Sequence, residues 1–267
     1  MVLLSPLDLA LAALLIFINA GLSLLLRLGI GRQLLIAATR TVVQLSLLGF
    51  VLKFIFNLVH PGLIALMALF MVFTAGWEVM GRQKYRFTGP WSFGIGASAM
   101  CISSFIITLF ALMAIIRNDP WYEPQYAIPL LGMILGNTMN GIAIGLDRLT
   151  QTLWEKKAII ETRLMLGQTF SESVADIRRD SIRSGLIPII NAMSVAGIVS
   201  LPGMMTGQIL AGTPPMEAVK YQILIMFLIA GGAGFGTIFA VNAGAGRLSD
   251  KRHRLRLDRL RRTGRGG

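Results

Sequence analysis

Long apolar runs alternate with short polar connections along this chain. The runs lie near Leu7–Leu26, Leu34–Leu52, Leu63–Met80, Ser92–Ile116, Ala127–Leu146, Leu186–Gly212 and Val219–Val241. Each is roughly 20 residues or longer, which a helix needs to cross a bilayer core. The pattern predicts an all-α integral membrane protein with about seven transmembrane helices. The first run has no basic stretch before it and no small-residue cleavage site after it, so it reads as a span rather than a secretion signal.

Charge placement adds an orientation. Only 14% of the 267 residues are charged, against about a quarter in a soluble domain. Basic residues gather in alternate connections: Arg27 and Arg32, then Arg82, Lys84 and Arg86, then seven between Asp147 and Gly185, then nine after Ala245. The intervening connections hold only Lys53, Arg117 and Lys220. The positive-inside rule puts the N-terminus outside and the C-terminus in the cytosol. The net charge of +12 is thus a topology signal, and no nucleic-acid partner is expected. The chain divides into a membrane domain, 1–246, and a basic cytosolic tail, 247–267; binding of anionic lipid or nucleic acid is one reading of the tail, and a topology anchor that frays in solution is the favoured one. The lone Cys101 excludes an intramolecular disulfide.

One polar segment between spans is sizeable, 147–185. Leu149, Leu153, Ile160 and Leu164 recur at near-helical spacing and predict an amphipathic helix. Gly167 suits the position just past a helix end. Thr169–Glu172, TFSE, fits a capping box for a second helix that ends at Gly185. The expectation is a cytosolic helix–turn–helix elbow of fixed geometry, suited to docking in a groove of a partner protein.

Several stretches carry a family resemblance. Glu161–Gly167, ETRLMLG, has the E-x5-G spacing of the coupling loop of bacterial ABC permeases, with Thr162-Arg163 where that pattern has Ala-Ala. RTVVQLSLLGF (Arg40–Phe50), GNTMNG (Gly136–Gly141), INAMSVAGIVSLPGMMTGQILAG (Ile190–Gly212) and AVKYQILIMF (Ala218–Phe227) extend it over most of the chain to about residue 240. Together they resemble the FetB (YbbM-like) family of ABC transporter permeases, linked to iron export, whose relatives include plant half-transporters tied to aluminium tolerance. The resemblance implies a permease subunit in the plasma (inner) membrane. It would pair with a second copy of itself and with two copies of a separate ABC ATPase docking on 158–183. The coupling residues would be Glu161, Arg163, Leu166, Gly167, Thr169, Phe170 and Glu172. ATP and Mg would be bound by the partner and no cofactor by this chain, in keeping with the lack of a G-x4-G-K-[ST] phosphate loop. Gly231–Gly236, GGAGFG, sits inside an apolar run and reads as close helix packing.

Polar groups inside spans are the candidates for a transport path. Arg40 and Gln44 are one turn apart in the second span, Asn137 and Asn140 three apart in the fifth, Asn191 and Ser194 three apart in the sixth. Interhelical hydrogen bonding would account for the last four equally well. Pro202-Gly203 falls about 24 Å along the sixth span. It predicts a kinked or re-entrant outer gate with Met204, Met205 and Gln208 at the exit. Methionine thioethers can bind soft metals, but 14 methionines favour gap filling, and no metal site is assigned. Two other classes stand beside the exporter. An ion-gradient-driven carrier would need intramembrane carboxylates, and a membrane enzyme acting on a lipid would need paired acids or a metal cluster.

Overall fold

The computed structural model describes residues 5–58, 60–250 and 252–263. Among these it holds ten α-helices and one two-stranded sheet. Six helices are long and apolar enough to cross a membrane. The chain separates into two compact units, residues 1–60 and 61–266.

The first unit is a hairpin of α1 (Pro6–Leu25) and α2 (Gly31–Leu58). Ser5 and Asp8 form a reciprocal capping box that starts α1. Gly29 takes φ +71° in the reversal, and Ser23 Oγ accepts the Ile30 amide at 3.2 Å. A β-carbon on Gly31 would lie 3.2 Å from the Ala20 carbonyl oxygen, so the hairpin closes tightly here.

The second unit is built around α5 (Pro124–Glu155), which packs against α3 (Pro61–Arg82), α4 (Trp91–Phe110), α8 (Ala175–Val195) and α10 (Pro215–Arg247). A π-helical turn, Ala111–Ile116, extends α4. Glycine lets three of these helices touch. A β-carbon on Gly185 would stand 2.5 Å from the Gly141 carbonyl oxygen and 2.7 Å from Thr237 Cγ2. One on Gly236 would stand 2.6 Å from Thr138 Cγ2. Backbones approach this closely only through such residues. The GGAGFG run therefore packs as expected at Gly232 and Gly236, while Gly234 faces open space. Gly141 and Gly145 of α5 meet Gly185 and Ser181 of α8 in reverse order, so α8 runs against α5.

Three expectations are corrected. The run Leu186–Gly212 is not one helix broken at Pro202. Its helix, α8, starts eleven residues earlier at Ala175 and stops at Val195. Ala196–Pro202 is non-helical, with Gly197 at φ +81°, and a separate short helix, α9 (Gly203–Leu210), follows. The amides of Ile198, Val199 and Ser200 all turn back onto the Val195 carbonyl at 3.0–3.3 Å, which ends the helix without the proline. Secondly, the fifth span does not end at Leu146. It runs on to Glu155, because Leu149 and Leu153, assigned to an elbow helix, are fully buried on the continuing face of α5.

Thirdly, the described part of the tail is folded, and α10 ends at Arg247. Strand β2 (Leu260–Arg262) pairs antiparallel with β1 (Tyr85–Phe87). Leu248 and Leu260 are buried in the same core as Leu149 and Leu153. Arg259 Nη1 donates to the carbonyls of Arg247 (2.6 Å) and Ser249 (3.0 Å). Lys251 and residues 264–267 of the expected tail lie outside the described residues.

Candidate coupling elbow and intramembrane polar face

The elbow begins where α5 ends. Lys156 breaks the helix with φ −96° and ψ 19°, and α6 (Lys157–Met165) follows. Gly167, at φ +89°, closes α6. The Gln168 amide reaches the Arg163 carbonyl at 3.2 Å and the Gly167 amide the Leu164 carbonyl at 3.1 Å. These two bonds are a Schellman motif. Two residues later Thr169 starts α7 (Phe170–Ser173). Its backbone N–H donates to Glu172 Oε2 at 2.8 Å, and the Glu172 N–H donates back to Thr169 Oγ1 at 3.3 Å. The backbone bond from Thr169 leads the interactions that hold the Glu172 carboxyl below its usual pKa.

Arg163 then ties the two arms together. Its Nη1 donates to the Ser173 carbonyl (2.7 Å) and to Asp176 Oδ1 (3.0 Å), and its Nη2 to Asp176 Oδ2 (3.1 Å). That fork lowers the Asp176 pKa and raises that of Arg163. Beneath the turn Ile160, Phe170, Val174 and Ile177 are buried in the main core, and the Phe170 amide faces His253 Nδ1 at 3.5 Å. Above it Met165 and Leu166 are 80% and 79% exposed. Glu161 stays on the outer surface, 3.7 Å from Lys157 Nζ. The elbow thus presents an apolar tip on a base fixed at every turn.

The other candidate residues are polar side chains on α5, α8 and, in the first unit, α2. Asn137 and Asn140 are exposed on α5, whose other faces are buried. Asn137 Nδ2 donates to the Met133 carbonyl at 2.9 Å within its own helix. Asn140 Oδ1 accepts from Arg82 Nη1 of α3 at 2.7 Å. Asn191 and Ser194 are exposed on α8, Ser194 Oγ donating to the Ile190 carbonyl at 2.9 Å. Arg40 and Gln44 line one shallow groove of α2 with Thr39 and Val43, within the first unit.

A family model described as "Uncharacterised protein family (UPF0014)" matches residues 6–248, nearly the whole of this architecture. The chain belongs to the UPF0014 family. It is 44% identical to a UPF0014 membrane protein of Synechocystis sp. over 74% of this chain and 75% of that one. It is 34% identical to the protein named "Probable iron export permease protein FetB" of Escherichia coli, over 95% and 96% of the two chains. It is 32% identical to the protein named ALUMINUM SENSITIVE 3 of Arabidopsis thaliana, over 77% and 73%. No solved structure matches. Family membership and six apolar helices make this UPF0014 chain a multi-pass membrane protein.

The expected gate residues of this UPF0014 chain sit on and beside α9. Pro202 precedes the helix at φ −62° and ψ 141°, and its carbonyl accepts the Thr206 amide at 3.1 Å. It starts a helix instead of kinking one. Gly203 opens α9, and Met205 is half-buried. Met204 packs against the core formed by Ile134, Ile189, Ile225 and Ile229. Gln208 Oε1 is buried with no hydrogen-bond partner. Sequence reasoning missed Arg82 and Asp176, which hold Asn140 and Arg163. The Gly167 reversal was the one available signal for Asp176, since it turns the chain so that Asp176 comes back to Arg163.

Proposed function

We propose that the chain is the membrane-spanning permease subunit of an ABC-type exporter in the plasma membrane. Two copies would work with a separate ATPase docking on 158–183. The observation that carries this reading is the elbow. An apolar tip, Met165-Leu166, stands exposed over a turn fixed by the Schellman bonds, the capping box and the Arg163–Asp176 fork. Such a lever transmits a push from a partner without absorbing it. The full-length likeness to a probable iron export permease favours cargo connected with iron or another metal. With no phosphate loop in the sequence, ATP and Mg belong to the partner.

In this reading the chain makes seven crossings, from an external N-terminus to a cytosolic C-terminus. The sixth is composite: the apolar end of α8, the 196–202 turn and α9. Asn137, Asn140, Asn191 and Ser194 line the cargo path or the contact with the second copy, because exposed amides are costly against lipid. Residues 202–208 cap its outer end.

Co-purification tests it. Detergent-solubilised protein should retain a nucleotide-binding subunit, and Gly167→Pro should release it. ATP-independent transport by the isolated chain at the full rate would overturn the reading.

A further inference from the structure

The folded tail creates a cavity that the transport reading does not use. It opens at the basic end of the second unit, has a volume of about 710 Å³, and is walled by Arg86, Arg261, Arg262, Ser92 and Trp77 among others. Its described lining holds no carboxylate. Arg86 on β1 is directly opposite Arg261 on β2, and like charges so placed repel in a bare sheet. Arg86 Nη2 donates to the Gly81 carbonyl at 3.1 Å, yet its Nε is buried without a partner. Ser92 Oγ is buried and unpartnered too. Ser92 lies in the first turn of α4, which has no side-chain cap and carries the positive end of a helix dipole. Three arginines, an orphan hydroxyl and a helix start without a side-chain cap line one cavity, and that lining suits a phosphate group.

The mouth of the cavity says what carries the phosphate. Trp77 stands there, and Leu66, Phe70, Phe73 and Trp77 form an exposed apolar row along α3 at spacings of four, three and four. Tryptophan favours the headgroup level of a bilayer, and the row leads from it into the hydrocarbon. We propose that this cavity binds the headgroup of an anionic phospholipid, its phosphate between Arg86 and Arg261 and its acyl chains along the α3 row. The lipid would clamp the C-terminal strand onto the α3–α4 connection by cancelling the repulsion across the strand pair. Free phosphate would satisfy the arginines but not the row.

Native mass spectrometry of the full chain can decide. Protein from nanodiscs of phosphatidylglycerol and phosphatidylcholine should keep phosphatidylglycerol through delipidation, and the Arg261→Gln/Arg262→Gln variant should keep about tenfold less. Arg252→Gln, on the exposed side of the tail, should keep as much as the parent. Equal retention by the double variant, or an equal loss in Arg252→Gln, would overturn the proposal by reducing it to general surface charge. A rise in thermal stability with phosphatidylglycerol in the parent, absent with inorganic phosphate alone, is the second expected result. Equal protection by inorganic phosphate would sink the lipid assignment. The variant's melting temperature in pure phosphatidylcholine should be no lower than the parent's, since the repulsion is gone, which keeps misfolding from passing as lost binding.

Discussion

Arg163 grips Asp176 by both guanidinium nitrogens, at 3.0 and 3.1 Å, across the turn that reverses α6 into α8. The pair is largely exposed, so its net stabilisation is small. What it fixes is the angle between the arms. Arg163→Ala should therefore leave the melting temperature nearly unchanged while cutting ATPase-coupled transport several-fold. Arg163→Lys should fail to restore coupling, because an ammonium cannot form the planar fork. A lysine variant with parental coupling would show that charge alone suffices there.

Gly167 tests the same elbow through its backbone. At φ +89° a side chain is strained, although a β-carbon would meet nothing within 4 Å. Gly167→Ala should cost about 1 kcal/mol of conformational strain, and Gly167→Asn less, since asparagine tolerates the left-handed region. Partner retention on purification should rank Gly, Asn, Ala. The reverse ranking would mean that the turn is not held in this conformation in the assembly.

The elbow was legible because its parts are local. A Schellman glycine and a Thr-x-x-Glu box are written within seven residues, and both motifs form, but the box opens only the four-residue α7, and the helix expected to end at Gly185 is α8, which runs on to Val195. The features that misled depend on distant chain. Leu149 and Leu153 have helical spacing wherever their helix belongs, and only the surrounding core assigns them to α5. The pairing of Phe87 with Leu260 spans 173 residues, so nothing near the tail announced a strand. Proline at 202 drew the break away from Val195, where the helix in fact ends in a turn around Gly197. Among the candidate path residues, that Asn137, Asn140, Asn191 and Ser194 face outward could not be read without knowing which faces α5 and α8 bury against α10.

Gly185 should be the least replaceable glycine in the described bundle. Its added β-carbon would sit 2.5 Å from a backbone oxygen of Gly141, and backbone cannot rotate aside as a side chain can. Gly185→Ala should destabilise by about 2 kcal/mol or more through overpacking. Thr237→Ser in the same chain should not rescue it, because the nearer obstacle is the Gly141 carbonyl. Gly136→Ala, where nothing lies within 4 Å, should be neutral or slightly stabilising in thermal unfolding.

Asp250 latches the tail. Its carboxylate accepts the Arg252 and Arg254 amides at 2.9 and 3.0 Å and pairs with the Arg254 guanidinium at 2.7 Å. Led by the Arg254 amide bond, these hold its pKa at about 2, below the ordinary 3.8. A depressed folded-state value means that the latch is fully formed above pH 3.8 and is lost as pH falls through about 2. Asp250→Asn should bring that loss to neutral pH. Limited trypsin digestion should then cut at the tail arginines in the variant faster than in the parent, with the membrane helices intact. An unchanged cleavage rate would mean that the strand pairing and Leu260 hold the tail without Asp250.

The connection between α8 and α9 decides where an outer gate would hinge. Ile198 and Val199 at its tip are 86% and 80% exposed, and the turn closes through the Gly197 amide on the Ser200 carbonyl at 2.9 Å. Pro202 lies beyond that closure, so Pro202→Ala should scarcely alter the turn, and transport should stay within about twofold of the parent, as for substitutions away from a strained site. Gly197→Ala forces a β-carbon at φ +81°, costing about 1 kcal/mol. It should shift the closed turn toward other conformations and change the transport rate without changing partner retention. Transport lost in Pro202→Ala and intact in Gly197→Ala would move the hinge to the start of α9, where Met204 enters the core.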